Sequence, residues 1–317
     1  MLESPLRAGV IISDMEKILI TGGTTFVSKY AATYFVQQGY DVFVLNRNTK
    51  AQVDGVTLIE GDRHDLGDKL TGMRFDAILD ITAYNRSDIV DLIDSLGEFG
   101  KYIMLSSSAV YPEYAPMPFD EYETRAENRY WGRYGTDKIE AEDEILKRIP
   151  DAYIIRPPYL YGPMNNIYRE AFVFDCALSG RRFYLPGDGS MKLHFFHVRD
   201  LCRLFERIVK EDVDEHILNV GDPEAVTIRE WVTKCYEVAG KEPQFISIGK
   251  DIEQRAYFPF YDYEYILDTK RMEKILPDTT SLTEGLAESL AWYLENKADV
   301  RVKPLIEYID NNLSEGK

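Results

Sequence analysis

Short apolar runs recur along the first half of the chain, and amphipathic stretches fill the gaps between them. The run at 17–20 (Lys-Ile-Leu-Ile) ends in Thr21-Gly22-Gly23, the pattern of a buried strand entering a tight turn. Further strands are predicted at 41–45, 56–59, 75–81, 101–105 and 152–155. Helices are predicted at 26–38 (with Gly39 as the stop), at 87–96 and at 134–148. Strands alternating with helices predict an α/β fold on a doubly wound parallel sheet. Such a sheet binds its ligand at the carboxyl ends of its strands, near the reversal in strand order. The residues just after each strand are therefore the ones to inspect.

Beyond Gly162 the alternation weakens. Two strand-like fragments remain, at 216–220 and 245–248, and helices dominate at 200–209, 228–239 and 282–296. The pattern predicts a sheet domain over 15–165 and a smaller C-terminal substrate-binding lobe over 166–317, with segments near 192–221 returning to the first domain. Residues 1–14 read as a flexible leader. Their apolar patch, Val10-Ile11-Ile12, is too short for a signal peptide, and Met15 stands just before the first strand.

Composition narrows the partners. Hydrophobic residues make up 45% and charged residues 29% of the 317, as in a globular protein. The formal charge is −17 and no basic run offsets it, so neither nucleic acid nor a membrane surface is an expected partner. No apolar stretch reaches the roughly 18 residues needed to cross a bilayer. Cys176, Cys202 and Cys235 are odd in number and widely spaced, which fits neither a disulfide framework nor a zinc site. They read as free thiols of a reducing, cytoplasmic compartment, and no metal is expected.

A strand, a glycine turn and a helix together make an anion site, because backbone N–H groups and the positive helix end face the ligand. Here the turn runs Thr21-Gly22-Gly23-Thr24-Thr25-Phe26-Val27-Ser28. Gly22, Gly23, Thr25, Phe26 and Val27 are the candidates for a dinucleotide pyrophosphate in a Rossmann-type domain. Thr25 and Ser28 occupy the positions where later glycines are usual. The second strand ends in Asn46-Arg47-Asn48. A carboxylate there would suit the ribose 2′-hydroxyl of NAD, whereas an arginine suits the 2′-phosphate of NADP, so Arg47 tilts the expected cofactor toward NADP over NAD. Asp62, after the third strand, is placed to accept from an adenine amino group, with Arg63 beside it. Thr82 and Ala83 after the fourth strand, Ser106 after the fifth and Pro157 after the sixth complete the cofactor candidates.

Tyr134 and Lys138 stand at i and i+4, on one face of a predicted helix. A neighbouring ammonium favours the charged phenol and lowers its pKa from about 10. A phenol so tuned can shuttle a proton to or from a substrate hydroxyl. Ser107, at the end of the fifth strand, is placed to hold the oxygen that Tyr134 protonates.

With these residues in place the chain resembles the extended short-chain dehydrogenase/reductase superfamily, in its NAD-dependent epimerase/dehydratase branch, as an atypical member. The likeness runs from about Met15 to Asn296 and rests on five landmarks in order: Thr21-Gly22-Gly23, Ser106 to Tyr111, Tyr134-Gly135-Thr136-Asp137-Lys138, Arg156 to Pro163, and Phe196-His197-Val198-Arg199-Asp200. The resemblance implies a catalytic set of Ser107, Tyr134 and Lys138. The lysine would also bind the nicotinamide ribose, and hydride would pass between a sugar carbon and the nicotinamide. It implies a homodimer joined through the helices at 87–96 and 134–148, where Ile89, Val90, Leu92 and Ile93 are apolar.

Departures from the family pattern shape the substrate expectation. The Asp-Glu pair of the dehydratases is replaced by Ser108 and Ala109, which argues against dehydration. Tyr159 stands where nucleotide-sugar epimerases often carry asparagine, and Leu193-His194 where they carry arginine. Tyr84, Ser108, Tyr159, Arg182, Lys192 and His194 are the substrate candidates, the last three for an anionic group. The expected activity is that of a sugar-nucleotide epimerase or related reductase. Two alternatives stand beside it: a reductase of a non-sugar carbonyl compound bound among Tyr84, Tyr111, Tyr159 and Tyr184, and a non-catalytic, RNA-binding dinucleotide protein.

Overall fold

The computed structural model describes residues 15–313. The leader at 1–14 lies outside them. Seven strands form one parallel sheet. They are β1 (Lys17–Thr21), β2 (Asp41–Asn46), β3 (Thr57–Glu60), β4 (Arg74–Asp80), β5 (Glu98–Leu105), β6 (Tyr153–Arg156) and a last strand, Ile217–Asn219, beside β6. The order is Ile217–Asn219, β6, β5, β4, β1, β2, β3. The sheet therefore reverses between β1 and β4, and the ends of those two strands, Gly22 and Thr82, frame the cleft.

Successive side chains on a strand point to opposite faces, and both faces here are covered. Ile18 and Ile20 pack with α1 (Phe26–Gln37) on one side, together with the helix Val198–Lys210. Leu19 and Ile78 pack on the other with α2 (Arg86–Ser95) and α3 (Arg133–Arg148). Gly39 has φ +86, and its N–H bonds back to Val36 O, which ends α1 as the glycine stop required. Asn85 caps α2 in a reciprocal box with Asp88. Ile89 and Leu92 of that helix are fully buried against the sheet, while Val90 and Ile93 remain half-buried on its flank.

The expected α/β fold with a doubly wound parallel sheet is the one observed. Sequence periodicity missed the short strands Tyr159–Tyr161, Phe183–Pro186 and Phe195–His197, and the helix Glu170–Leu178. These elements are buried nearly throughout, so no polar face marks their period. They belong to a second core rich in aromatic rings, with Trp231 stacked on Phe195 and edge-on to Phe260. No helix among the described residues is long and apolar enough to cross a membrane.

Candidate active site

The glycine turn needs both of its glycines. Gly22 and Gly23 hold φ +96 and +94, a region side chains rarely adopt. A Cβ on Gly22 would stand 2.8 Å from Ser28 Oγ, and one on Gly23 would stand 2.7 Å from Val44 Cγ1. Ser28 fits at the third position because its hydroxyl folds back onto Thr25 O at 3.0 Å. Thr25 begins α1 without a side-chain cap, so the leading N–H groups of the helix stay open to an anion.

At the end of β2, Asn46 donates through Nδ2 to Gly22 O at 2.7 Å and to Gln52 Oε1 at 2.9 Å. A neutral amide fixed to the turn thus takes the place of a ribose-binding carboxylate. Arg47 is 72% exposed and 3.9 Å from Asp62. Lys50, whose Nζ is 3.3 Å from Thr25 Oγ1, is a second cation at this mouth, and no motif marks it. A cleft of about 360 Å³ is lined by Gly22, Asn46, Arg47, Asp62, Arg63, Thr82 and Tyr84. Asn48, with φ +53, donates through Nδ2 to Glu60 and does not line it.

Arg63 is fixed below the cleft. It donates to Asp80 Oδ1 at 2.7 Å and to Thr82 O at 3.0 Å. Asp80, fully buried, also accepts from Thr21 Oγ1 at 2.8 Å and from the Tyr102 hydroxyl at 2.6 Å. This network locks the ends of β1 and β4 together.

A cavity of about 500 Å³ adjoins the cleft and holds the candidate catalytic residues. Ser106, Ser107, Ser108, Tyr134, Lys138, Pro157 and Tyr159 line it, together with Thr25, Phe26, Val27, Thr82 and Tyr84. The fold brings Tyr134 to Ser107 through Gly135. A Cβ there would come within 2.4 Å of Ala109 O, so only glycine lets α3 approach the end of β5 this closely. Of the three serines, Ser106 faces down, its hydroxyl 2.5 Å from Glu142 Oε1. Ser107 accepts from Ala109 N at 3.2 Å, and it faces the cavity with Tyr134, as Ser108 does with Tyr265.

The environment of the Tyr–Lys pair corrects one expectation. Lys138 Nζ donates to Ala83 O at 2.6 Å and to Leu105 O at 2.7 Å, and lies 6.0 Å from the Tyr134 ring centre. Burial raises the Tyr134 pKa above 10, opposed by the nearby Ser107 hydroxyl and by the charge of Arg169. The net shift of the phenol is thus upward, opposite to the lowering expected from the neighbouring ammonium. Burial also pushes the Lys138 pKa down to about 8, against the pull of Asp80 and Glu142.

A buried ion pair clamps this helix to the sheet. Arg156 at the end of β6 donates to Glu142 Oε1 at 2.9 Å and to Oε2 at 2.6 Å, and to the Tyr111 hydroxyl at 2.8 Å. Burial alone would raise the Glu142 pKa, but Arg156, Ser106 and Arg125 hold it below the usual carboxylate range. Glu142 lies one helical turn after Lys138, so the clamp ties the segment of α3 that carries Tyr134 and Lys138 to the sheet. Sequence reading missed it.

The substrate candidates separate. Tyr84, Ser108 and Tyr159 line the cavity. Arg182 and Lys192 are absent from its lining; Arg182 stands at a shallow pocket beside Tyr236, and Lys192 is exposed with its backbone N–H bound to Glu264. His194 is buried, its Nε2 on Asp222 O and its Nδ1 accepting from Leu267 N, so both ring nitrogens serve the fold. Tyr111 and Tyr184 are buried in the second core away from the cavity. Trp131, Asn166, Arg169, Tyr265 and Arg301 line it instead, and none was marked by a motif.

Comparison with known proteins fits this geometry. The model of the NAD dependent epimerase/dehydratase family matches residues 18–221. The chain belongs to that family. One relative, the chloroplast stem-loop binding protein of 41 kDa b of Arabidopsis thaliana, is 26% identical over 306 residues, spanning 88% of this chain and 80% of the relative. Another, dTDP-4-dehydro-6-deoxy-D-allose reductase of a Streptomyces species, is 24% identical over 333 residues, spanning 88% of this chain and 97% of the relative. In fold, the UDP-glucose 4-epimerase of Thermotoga maritima, solved with UDP-glucose, superposes with a TM-score of 0.73 at 19% identity, covering 89% of this chain and 99% of that one.

Proposed function

We propose that this family member is an NAD(P)-dependent oxidoreductase or epimerase acting on a nucleotide sugar, with Tyr134 as its acid/base. The observation that carries the reading is the single cavity lined by Ser107, Tyr134 and Lys138 next to the glycine turn. The turn suits a dinucleotide on its own geometry: two positions where a Cβ would clash, and a helix start left without a side-chain cap. Gly22, Gly23 and the first turn of α1 would hold the pyrophosphate, and Asp62 the adenine. Arg47 and Lys50 would face a ribose 2′-phosphate, which favours NADP. When bound, the nicotinamide supplies the site that accepts or returns a hydride.

The chain's own residues do the rest. Ser107 holds the reacting oxygen of the substrate beside the Tyr134 hydroxyl. Tyr134 takes that oxygen's proton during oxidation and returns one during reduction. Its raised pKa suits it to donate, since the phenol is protonated at neutral pH. Lys138, held on two carbonyls, has a third N–H available for a ribose hydroxyl. Ser108 and Ala109 offer no second acid and base, which supports redox or epimerisation over elimination.

The half-buried Val90 and Ile93 on α2 support a homodimer, and the three buried free cysteines suit a cytoplasmic setting. The stem-loop binding relative favours a second reading, in which the chain binds RNA; the −17 charge opposes it. Fluorescence titration with NAD and NADP, followed by turnover across nucleotide sugars, tests the proposal. Absence of dinucleotide binding would end the proposal, and an RNA mobility shift that weakens with salt, without turnover of any nucleotide sugar, would replace it with the second reading.

A further inference from the structure

Three cations line the larger cavity, and the reading above uses only Lys138. Arg169 and Arg301 remain. Arg63 is paired with Asp80, Arg156 with Glu142, and Arg125 with Glu142 and Asp143. Arg169 and Arg301 form no ion pair among the described residues. Unspent guanidinium groups inside a cavity are notable in a chain whose net charge is −17.

Their placement is built. The Arg169 guanidinium lies over the Tyr159 ring at 4.8 Å and over Phe260 at 5.5 Å, so an aromatic floor fixes its plane and leaves its N–H edge free. The Arg301 backbone N–H donates to Asn166 O at 2.9 Å, and the Arg169 N–H donates to Ile167 O at 2.8 Å. One strap, 166–169 joined to the segment at 301, thus carries both side chains. They flank the catalytic face, since the charge of Arg169 acts on Tyr134 and that of Arg301 on Tyr84, whose ring lies 5.2 Å from Lys138 Nζ. A planar fork with no carboxylate of its own suits bidentate capture of an oxyanion.

We propose that Arg169 and Arg301 form an anion subsite that grips an oxyanion, carboxylate or phosphoryl, carried by the substrate close to its reacting carbon. The proposal rests on the functional reading above, and it makes the substrate anionic at the end that meets Tyr134.

The test uses the full chain saturated with NAD or NADP, so that the dinucleotide's own phosphate site is filled. Inorganic phosphate is titrated in one arm and malonate in the other, by calorimetry at low salt. Saturable binding of either probe is expected, weakened at least tenfold in Arg169→Gln and in Arg301→Gln and unchanged in Arg182→Gln. Preference for phosphate assigns a phosphoryl group, and preference for malonate a carboxylate. Saturable binding of neither probe, or equal binding by wild type and both variants, overturns the proposal. Failure of the dinucleotide to bind counts against the functional reading alone, because the same titrations on the bare chain still judge the subsite by the same criterion.

Discussion

The two ends of the cleft are assembled in different ways. At the dinucleotide end, every contributing residue lies within a few positions of a strand end: Gly22 after β1, Arg47 after β2, Asp62 after β3 and Thr82 after β4. At the substrate end, Trp131 arrives from the loop before α3, and Arg169, Tyr265 and Arg301 from distant segments of the second lobe. The first end is held by the sheet's own hydrogen bonds, whereas the second depends on aromatic packing and on the strap between Asn166 and Arg301. A parallel sheet thus fixes the first end by local geometry, whereas the second rests on contacts between distant segments.

The comparison breaks most sharply at the residue where the two ends meet. Tyr134→Phe removes the hydroxyl and leaves the dinucleotide cleft intact. The expected loss in kcat/KM is on the order of 10² to 10⁴, with dinucleotide affinity unchanged. Steady-state kinetics beside a binding titration reads both, and full activity in the variant would end the assignment of Tyr134. The next effect is on stability. Glu142→Gln leaves Arg156 buried with its partner's charge removed, and breaking such a pair costs about 3–5 kcal/mol. Urea denaturation should show a lower midpoint with an unchanged slope. A shift near zero would mean that the clamp does not hold α3.

The same contrast explains what could be read from sequence. The strands and their order of ligand-bearing ends follow from local periodicity, because a buried strand and a glycine stop each act over a few residues. Gly22, Gly23, Ser107 and Tyr134 carry short-range signals. The Asp80 carboxylate also carried one: a charge at the end of an almost wholly apolar run must find a partner when buried, and that partner is Arg63. Glu142 did not, since on an amphipathic helix rich in acid it reads as one more solvated carboxylate until β6 brings Arg156 beneath it. Arg169 and Arg301 had no local signal at all. Their meeting depends on the lobe's tertiary packing, which no periodicity encodes. The Arg182, Lys192 and His194 cluster shows the converse, because nearness along the chain did not bring those side chains to the cavity.

The pH dependence sharpens the account of Lys138. Its pKa is lowered from 10.5 to about 8, so the ammonium is intact below pH 8 and lost above it. In kcat/KM, which reports the free enzyme, activity should fall by about tenfold per pH unit above that point. Folding stability should move the other way. Between about pH 8 and the free-lysine value the unfolded chain binds more protons than the native one, so this group makes the native state more stable as pH rises. Parallel pH series of activity and of thermal unfolding would show the two trends. A loss of activity that tracks unfolding would remove Lys138 as its cause.

The smallest effect tests the cofactor end itself. Arg47 is mostly exposed, so deleting it should leave the fold and the pyrophosphate cradle alone. If it faces a 2′-phosphate, Arg47→Ala weakens NADP by about tenfold, or about 1.4 kcal/mol, and leaves NAD unchanged. Arg47→Ala with Lys50→Ala should widen the gap, and Asn46→Asp should turn preference toward NAD by placing a carboxylate where the ribose hydroxyls would lie. Equal losses for both dinucleotides in the single variant would mean that Arg47 contributes only general positive potential. The choice between cofactors would then rest on Asn46 and the turn to which it is bound.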